Sequence, residues 1–281
     1  MGSTATGNTP SIDLSRYRIP GHDACYYVPD FITEEEERYL MDKIKESPQQ
    51  RWKQLANRRL QLWGGELTST NALVAQPMPA FVDTYPDIIA RLKGTGVFMD
   101  APHGRPNHII MNEVGLFRRS ITLSDQFYEQ YLPGQGIMPH EDGPAYFPVV
   151  ATISLGSHCI FHYYQYKPDD TLPDGGRSID PTPVLSVLLE PRSVVISEHS
   201  LYTAHLHAIR EVEEDIITAG NATTPPLLSD LGVPIVNWDR VTLPAAVKIM
   251  SEGGALKRAA RYSLTCRDVK KVLQLKLFTK R

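Results

Sequence analysis

Between residues 145 and 200 the chain is a run of short apolar strands cut by turns. Val149, Ala151 and Ile153 alternate with Val150, Thr152 and Ser154, the period of a half-buried strand. His158, Ile160 and His162 then alternate with Cys159, Phe161 and Tyr163. A loop rich in Pro, Asp and Gly over residues 167–183 follows, then a strand from Val184, a turn at Glu190-Pro191-Arg192 and a second strand to Ser197. Strands this short and this closely punctuated fit an all-β sandwich or barrel rather than βαβ units.

Just upstream stands His140-x-Asp142, followed by Gly143-Pro144 and preceded by Pro133-Gly134 and Gly136. On an extended strand residues i and i+2 share a face. An imidazole and a carboxylate side by side, with a distant second histidine, make the facial triad that holds Fe(II) with three positions open. Three downstream histidines are available, His199, His205 and His207. Farther on, Arg261, Ser263, Thr265 and Arg267 alternate with Tyr262, Leu264 and Cys266, so one strand presents two arginines on one face. Six steps at about 3.3 Å separate them by roughly 20 Å. Side chains reaching toward each other would just bracket a small dicarboxylate, to which a guanidinium offers a bidentate fork.

The block Tyr131-Leu-Pro-Gly-Gln-Gly-Ile-Met-Pro-His140-Glu-Asp142 resembles the signature of the AlkB family of Fe(II)- and 2-oxoglutarate-dependent dioxygenases. Gly143-Pro144 and the stretch from Thr152 to His158 are similar to its sixth-homologue subgroup. The resemblance implies a double-stranded β-helix (jelly-roll) core, mainly β with flanking α, N-terminal helices and a nucleotide-lid segment. It implies Fe(II) on His140, Asp142 and a second histidine. The family's pattern, a His followed by a small residue and an aliphatic one, picks His207, with His205 as the alternative. It implies 2-oxoglutarate held by Arg261, Tyr131 and Asn112, with Ser263 on the same face and Arg267 nearer the iron, and O2 as the second cosubstrate. Asn57-Arg58-Arg59-Leu60-Gln61-Leu62-Trp63 resembles the lid. Arg58, Arg59, Trp63 and Tyr146 are therefore candidate substrate contacts. A solvated basic loop with a core tryptophan is the competing reading of the lid stretch.

One departure stands out. The family places an Asn two residues before the Tyr of the signature, where this chain has Glu129. Removing residues 114–130 would join Asn112-Glu113 to Tyr131-Leu-Pro-Gly and restore that spacing. Every valine codon begins GT and one glutamine codon is CAG, so this 17-residue segment reads either as a retained in-frame intron or as a genuine insertion between two strands.

The rest of the chain is expected to support this core. Residues 1–20 read as a disordered tail and 21–281 as one domain, with the catalytic core at 107–275. Thr33-Glu34-Glu35-Glu36 is a capping box opening a helix. His158 and His162 read as core or pocket-wall residues. The stretch from Arg210 to Ala255 reads as a surface insertion with a helix near 245–251. A net charge of −3 supplies no global field for nucleic acid, so such binding needs a local basic patch. Three scattered cysteines suit a reducing compartment, and there is neither a signal-peptide pattern nor a long apolar run; the chain is expected to be a monomer of the nucleus or cytoplasm. Three readings of function stay open: oxidative demethylation of alkylated DNA or RNA bases, oxidation of a protein or small molecule, and a weakly active nucleic-acid-binding module.

Overall fold

The computed structural model describes residues 12–22, 24–55, 58–114, 118–123, 126–131, 136–171 and 176–273, with only the backbone of 118–123, 126–131 and 169–171. Two antiparallel sheets form the core. The larger has the strand order Cys25–Val28, Val194–Glu198, Val149–Leu155, Arg261–Arg267, His108–Val114, Arg59–Trp63 and Lys53–Gln54. The smaller has the order Leu185–Leu189, Cys159–Tyr164, Leu206–Ile209 and Ile137–His140. This is the mainly β, jelly-roll arrangement expected from the sequence, with flanking helices.

Strand alternation decides what each face of the large sheet carries. Ile109, Met111, Ile153, Leu155, Tyr262, Leu264 and Cys266 point to the outer face and pack with Leu40, Ile44, Ile88 and Leu92 of the helices Glu34–Lys45 and Ile88–Lys93. The first helix starts at the expected capping box: Thr33 Oγ1 accepts from Glu36 N at 3.2 Å, and Thr33 N donates to Glu36 Oε2 at 2.8 Å. The inner faces of the two sheets meet over Cys25, Tyr27, Val195, Phe161, Tyr163 and Val187. At one end of this interior the apolar filling gives way to polar side chains, and the site lies there.

Two expectations need correction. The tail does not run to residue 20: Leu14 and Ile19 are buried, in a segment that includes the short 3-10 helix Leu14–Tyr17. The region after Arg210 is more than a surface excursion. Strands Val233–Pro234, Leu227–Leu228, Glu214–Thr218 and Gly254–Lys257 form a four-stranded sheet, and with the helix Pro244–Glu252 they build a third core that takes in Ile160 and Leu188 of the small sheet. Buried Asn237 stitches the two together: its Oδ1 accepts from Leu188 N at 2.9 Å and its Nδ2 donates to Leu188 O at 2.8 Å. Neither anchor shows in the apolar periodicity.

Within residues 114–130, strands Arg118–Leu123 and Gln126–Tyr131 pair antiparallel with each other, from Arg118 opposite Tyr131 to Leu123 opposite Gln126. They form a two-stranded sheet of their own, hydrogen-bonded to neither main sheet. No helix among the described residues is long and apolar enough to cross a membrane.

Candidate active site

His140 ends the edge strand of the small sheet and is the register partner of His207 on Leu206–Ile209. Their ring centroids are 4.3 Å apart. The strand stops there, so Asp142 reaches the centre from the following turn rather than by strand alternation. That turn passes through Gly143 at a φ of +83°, where glycine is unstrained, and the Tyr202 hydroxyl holds it by donating to Gly143 O at 3.1 Å. Upstream, a Cβ on Gly136 would lie 2.5 Å from the Ile209 carbonyl oxygen, so only glycine allows the chain so close to the Leu206–Ile209 strand.

One ligand atom from each of His140, Asp142 and His207 lies within 4.8 Å of the others. His140 Nδ1 donates to the Met138 carbonyl at 2.8 Å, which fixes the tautomer and leaves Nε2 for a metal. His207 lies nearly flat against Phe161, with centroids 5.4 Å apart at 21°. Burial drives the His207 pKa down to about 3, opposed by Asp142 and reinforced by His140 and Arg267. The ring is therefore neutral, as a metal ligand must be. Burial alone would raise the Asp142 pKa, but Arg267, with His207 and His140, outweighs it and holds the carboxyl below its ordinary value. Arg267 Nε donates to Asp142 Oδ2 at 2.9 Å, and Nη2 donates to Oδ1.

Beside this cluster is a cavity of about 80 Å³ between the two sheets. Arg261, Ser263, Thr265 and Arg267 all line it, as the alternation of their strand requires. Arg261 is 2% exposed. Its Nη2 donates to Ser154 Oγ at 2.8 Å, while Nε and Nη1 are buried without a partner. Burial lowers its pKa from the ordinary guanidinium value. A buried guanidinium with unmet donors is costly, and a carboxylate is the ligand that matches two of its N–H groups at once. Asn112 stands opposite Ser263, and its Oδ1 accepts from Arg58 Nε at 3.1 Å. Two imidazoles and a carboxylate are a donor set for Fe(II), and the Arg261 guanidinium, with Nε and Nη1 unpartnered in the adjoining cavity, fits one end of a dicarboxylate. The residues present fit both groups.

The structure separates the expected site residues into two sets. His140, Asp142, His207, Arg261, Ser263, Arg267, Asn112 and Arg58 converge; His205 instead turns Nδ1 to Ser200 O at 2.8 Å, and His199 lies on the short helix after Glu198. Nε and Nη2 of Arg267 are taken by Asp142, while its Nη1 is buried without a partner. Arg59 faces away from Arg58, as alternation dictates: it pairs with Glu113 and lies 3.9 Å over the Trp52 ring. Trp63 is 3% exposed, donates to Gln61 Oε1 at 3.1 Å and meets Phe81 edge-on. It is a core residue and cannot stack on a base. Tyr146 is buried between His108, stacked at 5.9 Å, and the Arg267 guanidinium at 4.9 Å, so it packs against Arg267. The side chain of Tyr131 lies outside the described residues. His158 and His162 sit on the small sheet's outer face, on Asp215 at 3.2 Å and Ser186 at 2.9 Å. Sequence reasoning missed Ser154, Phe161 and the Met138 carbonyl. Ser154 had a signal: a polar residue on the inner side of a strand otherwise apolar enough to be central.

No family model matches the chain. The chain is 32% identical over 268 residues to a Danio rerio protein named "Probable RNA/DNA demethylase ALKBH6", covering 95% of each. It is 30% identical over 144 residues to "Uncharacterized protein L905" of Acanthamoeba polyphaga mimivirus, covering 50% of this chain and 57% of that one. A solved structure, that of OsALKBH1, aligns with a TM-score of 0.44 at 14% identity, over 87% of this chain and 98% of the other. The identity to the Danio protein, sustained over nearly the whole of both chains, places the sequence: it belongs to the AlkB family of Fe(II)- and 2-oxoglutarate-dependent dioxygenases.

Proposed function

We propose that this dioxygenase removes methyl groups oxidatively from alkylated nucleic-acid bases, releasing formaldehyde, succinate and CO2. The observation that carries the reading is the His140, Asp142 and His207 cluster of ligand atoms beside a cavity that His140 and His207 line together with Arg261, whose Nε and Nη1 have no partner. The named function of the Danio relative supports the choice of substrate.

His140 Nε2, a carboxylate oxygen of Asp142 and His207 would hold the metal. Arg261 would take the distal carboxylate of 2-oxoglutarate, with Ser263 and Asn112 beside it. When bound, Fe(II) with 2-oxoglutarate and O2 supplies the oxidising power, and hydroxylation of an N-methyl group gives a hemiaminal that collapses to formaldehyde and the free base. The protein's own part is geometric and electrostatic. Met138 O sets the His140 tautomer, Phe161 fixes the His207 plane, and Arg267 keeps Asp142 ionised and aimed. Thr152 and Phe161 close the cavity wall. Arg58, its charge disfavoured by burial, stands where it can meet a phosphate or a base edge, with Leu60 and Ile137 as the apolar walls beside it. A flipped or single-stranded base suits so narrow a cavity better than an intact duplex. We read the chain as a monomer of the nucleus or cytoplasm. The free, buried Cys25, Cys159 and Cys266 suit a reducing compartment.

The test is formaldehyde release from N-methylated DNA and RNA oligonucleotides, with 2-oxoglutarate and Fe(II), beside a His140→Ala control. Release that depends on His140 supports the reading. Succinate formation with no formaldehyde from any methylated oligonucleotide would move the substrate to a protein or small molecule.

A further inference from the structure

We propose that Asp215 is a positioning residue for the cosubstrate site: with Arg258 and His158 it forms a buried clamp on the chain that leads into Arg261, and so aims that guanidinium. The proposal rests on the reading of Arg261 as the carboxylate anchor.

Arg261 needs aiming because its own contacts fix only one nitrogen. Its Nη2 donates to Ser154 Oγ, while Nε and Nη1 have no partner. Three residues, 258–260, separate the strand Gly254–Lys257 of the four-stranded sheet from Arg261–Arg267 of the large sheet. Each of the three is held. Arg258 Nε and Nη2 donate to Asp215 Oδ2 and Oδ1 at 2.8 and 2.7 Å, and Nη1 donates to Arg210 O at 2.9 Å. Ala259 N donates to Ser157 Oγ at 2.9 Å. The Ala260 carbonyl oxygen lies so near Gly156 that a Cβ there would come within 2.7 Å of it.

The clamp takes in both segments that set the guanidinium. Gly156, Ser157 and His158 follow the strand Val149–Leu155, which carries Ser154, and His158 Nε2 meets Asp215 Oδ2 at 3.2 Å. Asp215 thereby ties the strand of Ser154 to the chain entering Arg261. This is a buried charge cluster and not a surface pair: the side chains of His158, Asp215 and Arg258 are 4%, 5% and 9% exposed. Burial would raise the Asp215 pKa, yet the hydrogen bonds from His158 and Arg258 bring it down to about 2. Removing that carboxylate strands a buried guanidinium, which must move toward water. Arg258 is three positions from Arg261, so the shift is passed along the chain. None of the three clamp residues lines the cavity, so a change in them reaches 2-oxoglutarate through Arg261 and Ser154.

The experiment is calorimetric titration of 2-oxoglutarate onto the full, Mn(II)-loaded chain without oxygen, with thermal unfolding of each variant alongside. Asp215→Asn should weaken binding about tenfold, the worth of one hydrogen bond to a charged group. In succinate formation it should raise KM for 2-oxoglutarate by the same factor and leave kcat within about twofold. Ser157→Ala, which releases Ala259 N, should weaken binding in the same direction by less. Asn237→Ala loosens the four-stranded sheet at Leu188, away from the clamp, and should lower Tm without changing affinity. Unchanged affinity in Asp215→Asn overturns the proposal, as does equal weakening in Asn237→Ala, which would mark a general loosening. If Asp215→Asn fails to fold, Ser157→Ala decides, and wild-type affinity in it overturns the proposal. Arg261→Met separates the two readings: wild-type binding by that variant sinks the anchor assignment itself, whereas lost binding there with an indifferent clamp sinks only the role of Asp215.

Discussion

The pair between Arg267 and Asp142 makes the sharpest energetic prediction. Both side chains are nearly sealed, at 5% and 3% exposure, and two N–H groups of one meet two oxygens of the other. Arg267→Met leaves a buried carboxylate with no counter-charge in the metal-free protein. Breaking a buried pair by removing one partner costs about 3–5 kcal/mol. At about 2–4 °C per kcal/mol for a chain of this size, Tm should fall by roughly 6–20 °C. Asp142→Asn should cost a similar amount, because it strands the guanidinium. The double variant should cost far less than the sum, since neither charge is then left alone, and the coupling energy should exceed about 2 kcal/mol. The assay is thermal and urea unfolding of the four proteins, stripped of metal, at one pH. Additive single effects, with a coupling under about 0.5 kcal/mol, would refute the view that this pair is a buried ion pair holding a metal ligand.

Arg261→Met should abolish 2-oxoglutarate binding in calorimetry yet leave the ligand-free protein as stable or more so, because it removes two unmet buried donors; a Tm loss of more than a few degrees would show that the guanidinium has a structural partner. Trp63→Ala should cost about 3–5 kcal/mol of stability in urea unfolding, whereas Arg58→Ala should leave stability within about 0.5 kcal/mol and raise KM for a methylated oligonucleotide; the opposite assignment of effects would return Trp63 to the substrate. Burial lowers the His162 pKa to about 4, so the unfolded chain takes up a proton that the folded one refuses. Stability from this residue is complete above about pH 6.5, is lost as pH falls toward 4, and amounts to about 3 kcal/mol at most. Urea midpoints measured across that window should slope downward, and more gently in His162→Gln; a flat profile would count against the buried neutral imidazole.

The two-faced strands were the legible part of the fold. Tyr262, Leu264 and Cys266 against Arg261, Ser263 and Arg267 is a period that only a strand between a core and a cavity explains. The same period places Arg58 inside and Arg59 outside, yet a lid-like motif read as a block hides that division. Trp63 shows why: its partners Gln61 and Phe81 come from the strand's outer face and a distant helix, and no local pattern announces them. The clasp of Arg267 on Asp142 was not legible because Asp142 lies 125 positions away in sequence, and a spacing argument along one strand cannot see across the sandwich. The region after Arg210 was misjudged because its core is small and borrows Ile160 and Leu188 from the small sheet. The histidine pair His158 and His162 was placed correctly on one face by alternation, but only Asp215 and Ser186 show which way that face looks.

The strand that carries His140 sits at the rim of the small sheet, stitched along one side only, and its register with Leu206–Ile209 slips between His207 and Ile209. An edge of this kind is the part of a sheet most ready to peel. Its far end is latched across the sandwich, because Asp142 follows it by two residues and is clasped by Arg267 from the opposite sheet. The latch and the candidate metal-ligand cluster therefore share Asp142. Whatever closes the seam brings His140 and Asp142 up to His207, and whatever opens it draws both away from His207 at once.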